Sequence, residues 1–445
     1  MLNIVTKCLF ISLLIVISTV QGIAQPKDNS PFSQFGFGDF IDSDMPSTHA
    51  MGGLGAIYHD FFEANFDNPA SLGFLQYTSL QLGFMVKRST YTRVDDKQTV
   101  WNGNTNHFSL NIPIINPLNQ ALERREATFS WATSISLRPF SQVGYNVQIT
   151  DDIDSIGTIN RSFRGSGGLY TLTWGNGFKY KNLAVGINLG YLKGKQFFDG
   201  QTTFLDLENV YNNLSQANIS YKGFQYRLGA MYELPLDLKT SRDKDDKPSK
   251  LLSAGMFVSG NTNMTLSTDN TVISVNDLTS DVDTSIYETD LPGKGNLPGA
   301  WGVGLLYHKA SSYRIGIDYQ GAAYSKYTND ARPDTLMDSY RIAAGGAWIP
   351  DAGSITSYFK RVEYRAGFYY KSDPRVIDKV YQVKEGAFTF GASFPFIVQR
   401  NISWFQFSLD VGSRTGGPNL KDNFVRANIG FIFNDNSWFI KGKYD

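Results

Sequence analysis

The chain has 445 residues, among them 42 glycines, 32 phenylalanines, 24 tyrosines and 7 tryptophans, but only 4 histidines and 1 cysteine. Charged residues make up 18% of the chain, below the roughly 25% of an average soluble domain. The 41 basic residues balance the 41 acidic ones and form no basic run, which excludes the electrostatic footprint of a nucleic-acid-binding protein. This composition also excludes a disordered chain or a coiled coil, and without linker-like stretches we expect one large body.

The N-terminus has the pattern of an export signal. An apolar run over residues 8–20 is followed by the small residues Gly22 and Ala24, where a signal peptidase reads its cleavage site. We therefore predict that residues 1–24 are a cleaved signal peptide. Since Cys8 is the single cysteine, the mature protein is expected to have no thiol, which excludes disulfides, thiolate metal sites and a cysteine nucleophile.

No later stretch has the roughly 18 to 20 apolar residues of a transmembrane helix. Instead, apolar residues recur at every second position along the chain, which predicts β-strands. The clearest segment alternates large apolar with polar or small residues: Tyr313, Arg314, Ile315, Gly316, Ile317, Asp318, Tyr319 and Gln320. Fourteen such strands are predicted, centred near Leu82, Leu110, Ser134, Leu172, Ile187, Tyr226, Met256, Val303, Ile317, Ala343, Tyr364, Phe390, Phe407 and Ile429.

The two faces of these segments distinguish a membrane barrel from a soluble sandwich. One face is large and aromatic and the other is glycine, serine and charge, the pattern of a barrel with a lipid-facing apolar band and a polar lumen. A sandwich with one wet face per sheet also alternates, but this many strands would need several sandwiches without linkers. The sequence therefore predicts an all-β fold, a closed antiparallel transmembrane barrel of about 14 strands over residues 76–433, in the outer membrane of a Gram-negative bacterium.

The lengths of the connections fit alternating periplasmic turns and outer loops. Those at residues 182, 311–312 and 400–401 are tight, whereas 151–165, 198–216 and 269–298 are predicted to be long outer loops, the last with a solvated composition of Asp, Ser, Thr and Asn. Residues 236–250 do not fit, because this long charged connection falls where the alternation requires a short periplasmic turn.

The segment before the first strand, residues 25–75, does not alternate and is predicted to be an N-terminal hatch that plugs the lumen. It is rich in glycine and phenylalanine and ends in a one-turn helix signal, with Asn68 as N-cap, Pro69 at the first helical position and Gly73 as the stop. A C-terminal tail, residues 434–445, follows the last strand.

Together, the export signal, a hatch ending in Asn68-Pro69-Ala70 and about fourteen strands resemble the FadL-type outer-membrane transporters of long-chain fatty acids and aromatic hydrocarbons. The resemblance implies a fourteen-stranded barrel plugged by the hatch, uptake of a hydrophobic ligand, and its exit through a lateral opening in the wall. The sequence departs from the family in having no long apolar helices in its outer loops.

Candidate functional residues follow from the hatch and from the lumen-facing positions. Ligand-binding candidates are Phe35, Phe37, Phe61, Phe62, Asn68, Pro69, Ala70, Arg314, Arg361 and Arg365. The aromatic residues either line a ligand pocket or pack the hatch, and the arginines either bind a carboxylate headgroup or belong to a charge network between plug and wall.

For the lateral opening, Pro139 is the candidate break in strand pairing, with Gly165, Gly167 and Gly168 on the opposite side of the gap. In the alternative interpretation, Pro139 ends the membrane part of its strand at the outer rim.

No enzyme motif is found, so no catalytic residue, metal site or cofactor is expected. The predicted function is outer-membrane transport of a small hydrophobic compound, of the fatty-acid or aromatic class. The alternative is a non-transporting FadL-like subunit of an outer-membrane secretion or assembly complex. The expected partners are outer-membrane lipid, a small hydrophobic ligand and, in the alternative, other outer-membrane proteins.

Overall fold

The computed structural model describes residues 30–435 apart from 43–44, 94–95, 116–127, 155, 238–248, 277, 310–311, 378, 399–400 and 419. The predicted signal peptide and all but the first two residues of the predicted 434–445 tail lie outside the described residues. The domain limits proposed from the sequence therefore stay predictions.

Strands make up most of the regular structure. They are β1 (Asp39–Phe40), β2 (Thr78–Arg93), β3 (Asp96–Ile115), β4 (Phe129–Ile153), β5 (Gly157–Tyr180), β6 (Leu183–Phe204), β7 (Tyr211–Pro235), β8 (Lys250–Ser259), β9 (Thr262–Asn276), β10 (Val282–Leu297), β11 (Ala300–Lys309), β12 (Tyr313–Ala322), β13 (Thr328–Asn329), β14 (Ser339–Trp348), β15 (Glu363–Ile377), β16 (Tyr381–Val398), β17 (Asn401–Thr415) and β18 (Lys421–Asp435). The described helices are short: α1 (Pro46–His49) and the 3-10 turns Pro31–Gln34, Pro69–Phe74, Tyr324–Lys326 and Tyr358–Lys360. None of these described helices has the length and apolar character of a transmembrane helix.

Fourteen of the described strands close into an antiparallel barrel, in which β18 pairs with β2 to complete the circle. The wall strands are β2 to β8, β11, β12 and β14 to β18. This confirms the predicted fold and strand number, and each predicted strand centre lies in a different wall strand. The tight connections predicted from the sequence, which join β5 to β6, β11 to β12 and β16 to β17, lie at the same end, and the long strands β4 to β7 extend beyond the membrane at the other end. The first end is therefore assigned to the periplasm.

Side chains point as the alternation predicts. Ile315 and Ile317 are 59% and 57% exposed on the outer face, whereas Asp318 is 3% exposed and Asp410 is fully buried inside. A sandwich would bury the isoleucines between its sheets, so the sandwich alternative is wrong.

The 236–250 connection is long and nevertheless periplasmic. It leaves β7 and returns at β8, and its described ends are joined by hydrogen bonds in which the Ser249 hydroxyl and amide donate to Asp237 at 2.5 and 3.1 Å. The hydrogen bond from the Ser249 hydroxyl, with those from the backbone, holds the pKa of the Asp237 carboxyl down at about 2. The strand count was therefore right, but the rule that periplasmic turns are short fails here and again at residues 349–362, which join β14 to β15 at the same end of the barrel.

The predicted long outer loops are wrong in kind, because the structure extends the strands through them. β4, β5, β6 and β7 have 25, 24, 22 and 25 residues, well beyond the roughly 9 to 11 needed to cross the membrane. Within 269–298, β9 and β10 pair with each other, and β9 pairs with the upper part of β7. Polar composition indicated a solvated loop, but strands whose side chains are exposed to water have the same composition. Most of β10 is exposed in this way, whereas Met264, Leu266 and Leu297 at the lower end of the sheet are buried.

The described residues ahead of β2, 30–77, are called the hatch segment below, and they contact strands on opposite sides of the barrel. The Ser30 amide donates to the Gly144 carbonyl of β4 at 2.8 Å, and Arg341 of β14 donates to the Gly52 carbonyl at 2.8 Å. The Asn68 side chain donates to the Met256 carbonyl of β8 at 3.0 Å. These contacts place the hatch segment inside the lumen.

A row of glycines lets the hatch segment lie flat on the wall. Gly177, Gly186 and Gly229 are in register on β5, β6 and β7. A Cβ atom on Gly186 would come within 2.4 Å of the Pro69 backbone, and one on Gly229 within 2.0 Å of the Asn68 side chain. The Asn-Pro-Ala turn therefore packs directly on backbone, which explains why glycine occupies this row.

We expect Gly186→Val to displace the Pro69–Phe74 turn, because its side chain would overlap the Pro69 backbone. The displaced hatch should become cleavable by protease added to permeabilised outer membranes, while the wall remains folded by its heat-dependent gel mobility.

Gly386→Val is the matched control, because the nearest side-chain atom to a Cβ at that position lies at an ordinary 3.5 Å. Equal protease sensitivity of the two variants would contradict the role of the glycine row.

Candidate functional site

The extracellular half of the lumen is filled by apolar side chains from the hatch segment and the wall. These are Phe37, Leu169, Leu192, Ile219, Tyr221, Met264, Leu266, Leu297, Tyr327 and Leu336, here called the upper cluster. Their exposed fractions lie between 0% and 6%. Phe37 meets Tyr327 and Tyr221 edge to face, with ring centroids 5.0 and 5.5 Å apart. Side chains that line a ligand-sized cavity would keep part of their surface accessible to water. Since Phe37 has no accessible surface, it packs the lumen here.

A buried charge network joins the hatch segment to strands β15, β17 and β18. Asp39 accepts hydrogen bonds from Arg375 and, at 2.7 Å, from Arg414. Arg375 also pairs with Asp373 at 2.6 Å, and Arg414 pairs with Asp422 at 3.2 Å. Both arginines are almost fully buried, so each charge depends on its partners. The network thus fixes Asp39 against the wall.

A second set of ion pairs lies next to the first. Lys371 pairs with Asp42 of the hatch segment at 2.6 Å. Arg426 pairs with Asp410 at 2.8 Å, and the His49 ring nitrogen lies 3.3 Å from the same carboxylate. Wall residues therefore contact both Asp42, which precedes α1, and His49, the last residue of α1. The described residues contain no group of three or more His, Cys, Asp or Glu side chains that would hold a metal ion.

The periplasmic end of the lumen, in contrast, is open. A cavity of about 1210 Å³ lies between the hatch segment and the ends of several strands. Phe61 is 49% exposed at this cavity. Phe62 stacks on Tyr77 with ring centroids 4.8 Å apart and contacts Trp404 at 5.9 Å. Other apolar residues that line the cavity are Phe129, Leu251, Phe396, Ile397 and Ile402. We call this concave surface the periplasmic cavity.

Two of the predicted ligand-binding arginines are already paired within this cavity. Arg314 lies 3.2 Å from Asp60 of the hatch segment and 3.4 Å from Glu363, and Arg365 pairs with Glu363 at 2.6 Å. Both guanidinium groups are thus paired with carboxylates of the hatch segment or the wall, and binding of a ligand carboxylate by them stays a prediction. Arg361 lines the same cavity, with its guanidinium 5.4 Å from the centre of the Tyr358 ring.

Asn68-Pro69-Ala70 has a structural position. The Asn68 side-chain oxygen accepts from the Ala70 amide at 3.1 Å, as the predicted N-cap requires. Its nitrogen donates to the Ala56 carbonyl at 2.6 Å as well as to the wall, and all three residues are completely or almost completely buried. Phe35 is partly buried against an apolar cluster formed around Phe32. The structure thus brings together Phe61, Phe62, Arg314, Arg361 and Arg365, and places the other candidates elsewhere.

Pro139 marks a change in strand pairing. Pairing of β3 with β4 ends at Phe108 and Leu137, so the two strands separate above that level. β4 itself continues past Pro139, with a bulge between Pro139 and Ser141 relative to β5. The strands that separate near Pro139 are therefore β3 and β4, and a lateral opening at this proline stays a prediction.

The predicted opposite side of the gap is wrong. Gly165, Gly167 and Gly168 pair with Tyr145, Val143 and Gln142 in an unbroken stretch of the β4–β5 ladder. A bulge can interrupt the hydrogen bonds along one edge of a strand while the other edge stays paired. Beyond Leu137, β4 is no longer paired with β3 but remains paired with β5.

The hatch segment covers the exposed edge of β4. β1 pairs with it, Asp39 opposite Gln142 and Phe40 opposite Ser141. The Asn104 side chain of β3 donates to the Gln142 side chain at 2.7 Å, which bridges the gap from the other side. In this structure the gap is closed by the protein itself.

Several important residues were missed from the sequence. Asp39 and Asp42 were not singled out, although carboxylates in an otherwise apolar segment predict basic partners inside a barrel. Trp404 falls on the polar face of its alternating segment, and this exception was a usable signal for an inward aromatic residue.

The closed fourteen-stranded barrel, with its inward polar face, has the fold of the FadL-type outer-membrane barrels. Solved structures with this fold include the toluene transporter TbuX of Ralstonia pickettii (14% identity, 88% of this chain and 98% of that chain, TM-score 0.53). They also include a FadL homologue of Pseudomonas aeruginosa (11%, 88% and 98%, 0.55) and the toluene transporter TodX of Pseudomonas putida (13%, 89% and 98%, 0.52). At these identities the likeness establishes the fold.

The family model described as BamG matches residues 5–445, and the chain belongs to the BamG family. No curated protein matches the sequence.

We expect Arg375→Met to destabilise the barrel strongly, since it leaves Asp39 and Asp373 short of a buried cationic partner. Breaking a buried ion pair costs about 3–5 kcal/mol. The midpoint of urea unfolding, followed by heat-dependent gel mobility, should fall accordingly.

Arg161→Met is the control, because Arg161 and Asp151 form a pair in which both side chains are 41% exposed. Such pairs contribute about 0–1 kcal/mol. A midpoint that is the same in both variants would contradict a structural role for the Asp39 network.

Proposed function

We propose that the protein is a closed FadL-fold subunit of an outer-membrane secretion or assembly complex and that its lumen does not conduct a ligand. The observation that carries the proposal is the burial of the upper cluster. Ten apolar side chains at 0–6% exposure occupy the region between hatch and wall where a hydrophobic ligand would have to enter. A smaller space that persists next to this cluster, about 60 Å³ in volume, is lined by the charged residues around Asp39 and Asp42.

The periplasmic cavity provides the surface for a partner in this proposal. A half-exposed aromatic residue in a concave apolar surface is typical of a protein interface. The fixed ion pairs beneath it keep the cavity in one shape, which lowers the entropic cost of binding. Membership of the BamG family favours this role over transport.

The proposal predicts that the protein purifies from native outer membranes in mild detergent as a stoichiometric complex with another outer-membrane protein. We expect Phe61→Glu to reduce the recovered partner by about tenfold, which corresponds to 1.4 kcal/mol of binding free energy. The measurement is the mass of the purified assembly by light scattering, with each component quantified by mass spectrometry.

Tyr287→Glu is the control, because Tyr287 is 72% exposed on β10, in the sheet beyond the opposite end of the barrel. Recovery of a lone barrel carrying one small apolar molecule per chain would contradict the proposal.

Transport of a small hydrophobic compound is the second candidate, and the separation of β3 from β4 favours it. A lateral exit would open at the edge that β1 covers, if the hatch segment moved away from Ser141 and Gln142. The neighbours TbuX and TodX are described as toluene transporters, and the aromatic class is the ligand this candidate implies.

A disulfide lock separates the two candidates. Phe40 and Ser141 are directly paired, and antiparallel partners have Cα atoms about 4.5–5.5 Å apart, within the range for a disulfide. With Phe40→Cys and Ser141→Cys together, we expect uptake of radiolabelled toluene to be the same before and after reduction, because the lumen is closed in both states. Uptake that appears only on reduction would establish transport and overturn the closed-subunit proposal.

A further inference from the structure

A groove on the lipid-facing side of the wall is distinct from the lumen and from the periplasmic cavity. It has a volume of about 590 Å³ and crosses strands β15 to β18 and β2. Its walls are the outward side chains Phe368, Phe388 and Val411, of which Phe388 is 67% exposed. Gly386 and Ser413, which pair with each other, form its low floor. The groove exists because a glycine and a serine occupy this row, whereas the row beneath it carries the large apolar side chains of Phe388 and Val411.

The groove lies near the extracellular ends of its strands, because Ser413 is two residues from the end of β17 and Gly386 is five residues from the start of β16. The row that contains Gly386 and Ser413 continues to Tyr370 on one side. The row beneath it continues through Val425 and Arg88 to Trp101, which is 61% exposed. Outward tyrosine and tryptophan residues mark the level of the headgroups in outer-membrane barrels.

Lysines border the groove on its extracellular side. Lys384, Lys421 and Lys97 occupy one row, joined through Thr415 and Thr92 of the strands between them. Adjacent strands are about 4.8 Å apart, so successive lysines are separated by about 10 Å at their Cα atoms.

Arg88 lines the groove itself. All four cations are exposed, and within the described part of the chain none of the four forms a salt bridge. We call these residues the basic arc.

The apolar groove and the basic arc together match one kind of ligand. An apolar slot at hydrocarbon depth accommodates an acyl chain, and cations at the headgroup level attract phosphate. An acidic protein could pair with the lysines, but it would leave the groove beneath them, which lies in hydrocarbon, unoccupied. A free phosphate would likewise make no favourable contact with the apolar side chains of Phe368 and Phe388.

We propose that this surface is a binding site for one phosphate-bearing lipid of the outer leaflet. An acyl chain lies along Gly386 and Ser413, and the headgroup phosphates lie against the basic arc. The site is independent of the proposed function, since it uses the outer face of the wall and no residue of the upper cluster or the periplasmic cavity.

Native mass spectrometry of the barrel, released from vesicles that contain lipid A and a neutral lipid, tests this site. The unmodified barrel should retain one lipid A molecule in preference to the neutral lipid. The triple variant Lys97→Gln, Lys384→Gln and Lys421→Gln should lose at least tenfold of this retention. Gly386→Leu should lower it similarly with every charge in place, because it fills the groove.

The matched control is Lys193→Gln with Lys222→Gln, two exposed lysines that pair across β6 and β7 and do not line the groove. It should retain lipid A as the unmodified barrel does. Heat-dependent gel mobility verifies that each variant is folded. An equal loss in the control, retention by the Gly386→Leu variant, or an acidic protein in place of the lipid would each overturn the site.

Discussion

The structure depends on one constraint: the bilayer core offers no hydrogen-bond partner, so each backbone group of the wall must find its partner within the protein. At thirteen of the fourteen junctions between wall strands, the neighbours are hydrogen-bonded along the length that they share. One of these junctions pairs β18 with β2 and closes the barrel. Between β3 and β4 pairing stops at Phe108 and Leu137, and the hatch segment supplies β1 instead. Wall and hatch are therefore parts of one hydrogen-bonded system.

Buried charges in the lumen are under the same constraint, because each must find a partner of opposite charge within the protein. The buried arginine side chains of Arg375 and Arg414 cannot reach bulk water, so carboxylates of the hatch segment and the wall pair with them. Asp39, Asp42 and Asp60 each meet at least one wall cation. The upper cluster excludes water above this level, and the periplasmic cavity admits it below. The lumen of this barrel is thus filled by apolar side chains at its extracellular end and open as a cavity at its periplasmic end.

Much of the architecture was predictable from the sequence because it rests on local rules. Period-2 alternation identified all wall strands, and the direction of Ile315 and Ile317 followed from it. The N-cap at Asn68 was also local. What failed depended on distant partners: β9 and β10 form only because β7 extends beyond the membrane to meet them. Likewise, the sequence marked a break at Pro139, but the choice between β3 and β5 as the lost neighbour is made by tertiary pairing.

The enclosed position of the hatch segment has a consequence for how the protein is made. The hatch is joined to β2, and β2 is also one side of the β2–β18 seam that completes the circle. Its contacts reach β4, β8, β14 and β17, strands that are synthesised long after it. A finished cylinder would admit the hatch segment only through its periplasmic opening, and the tightly packed upper cluster would then leave no room for Phe37 to reach its position. Insertion into the membrane must therefore wrap the later strands around an early template, and zipping of the seam is the final, committing event.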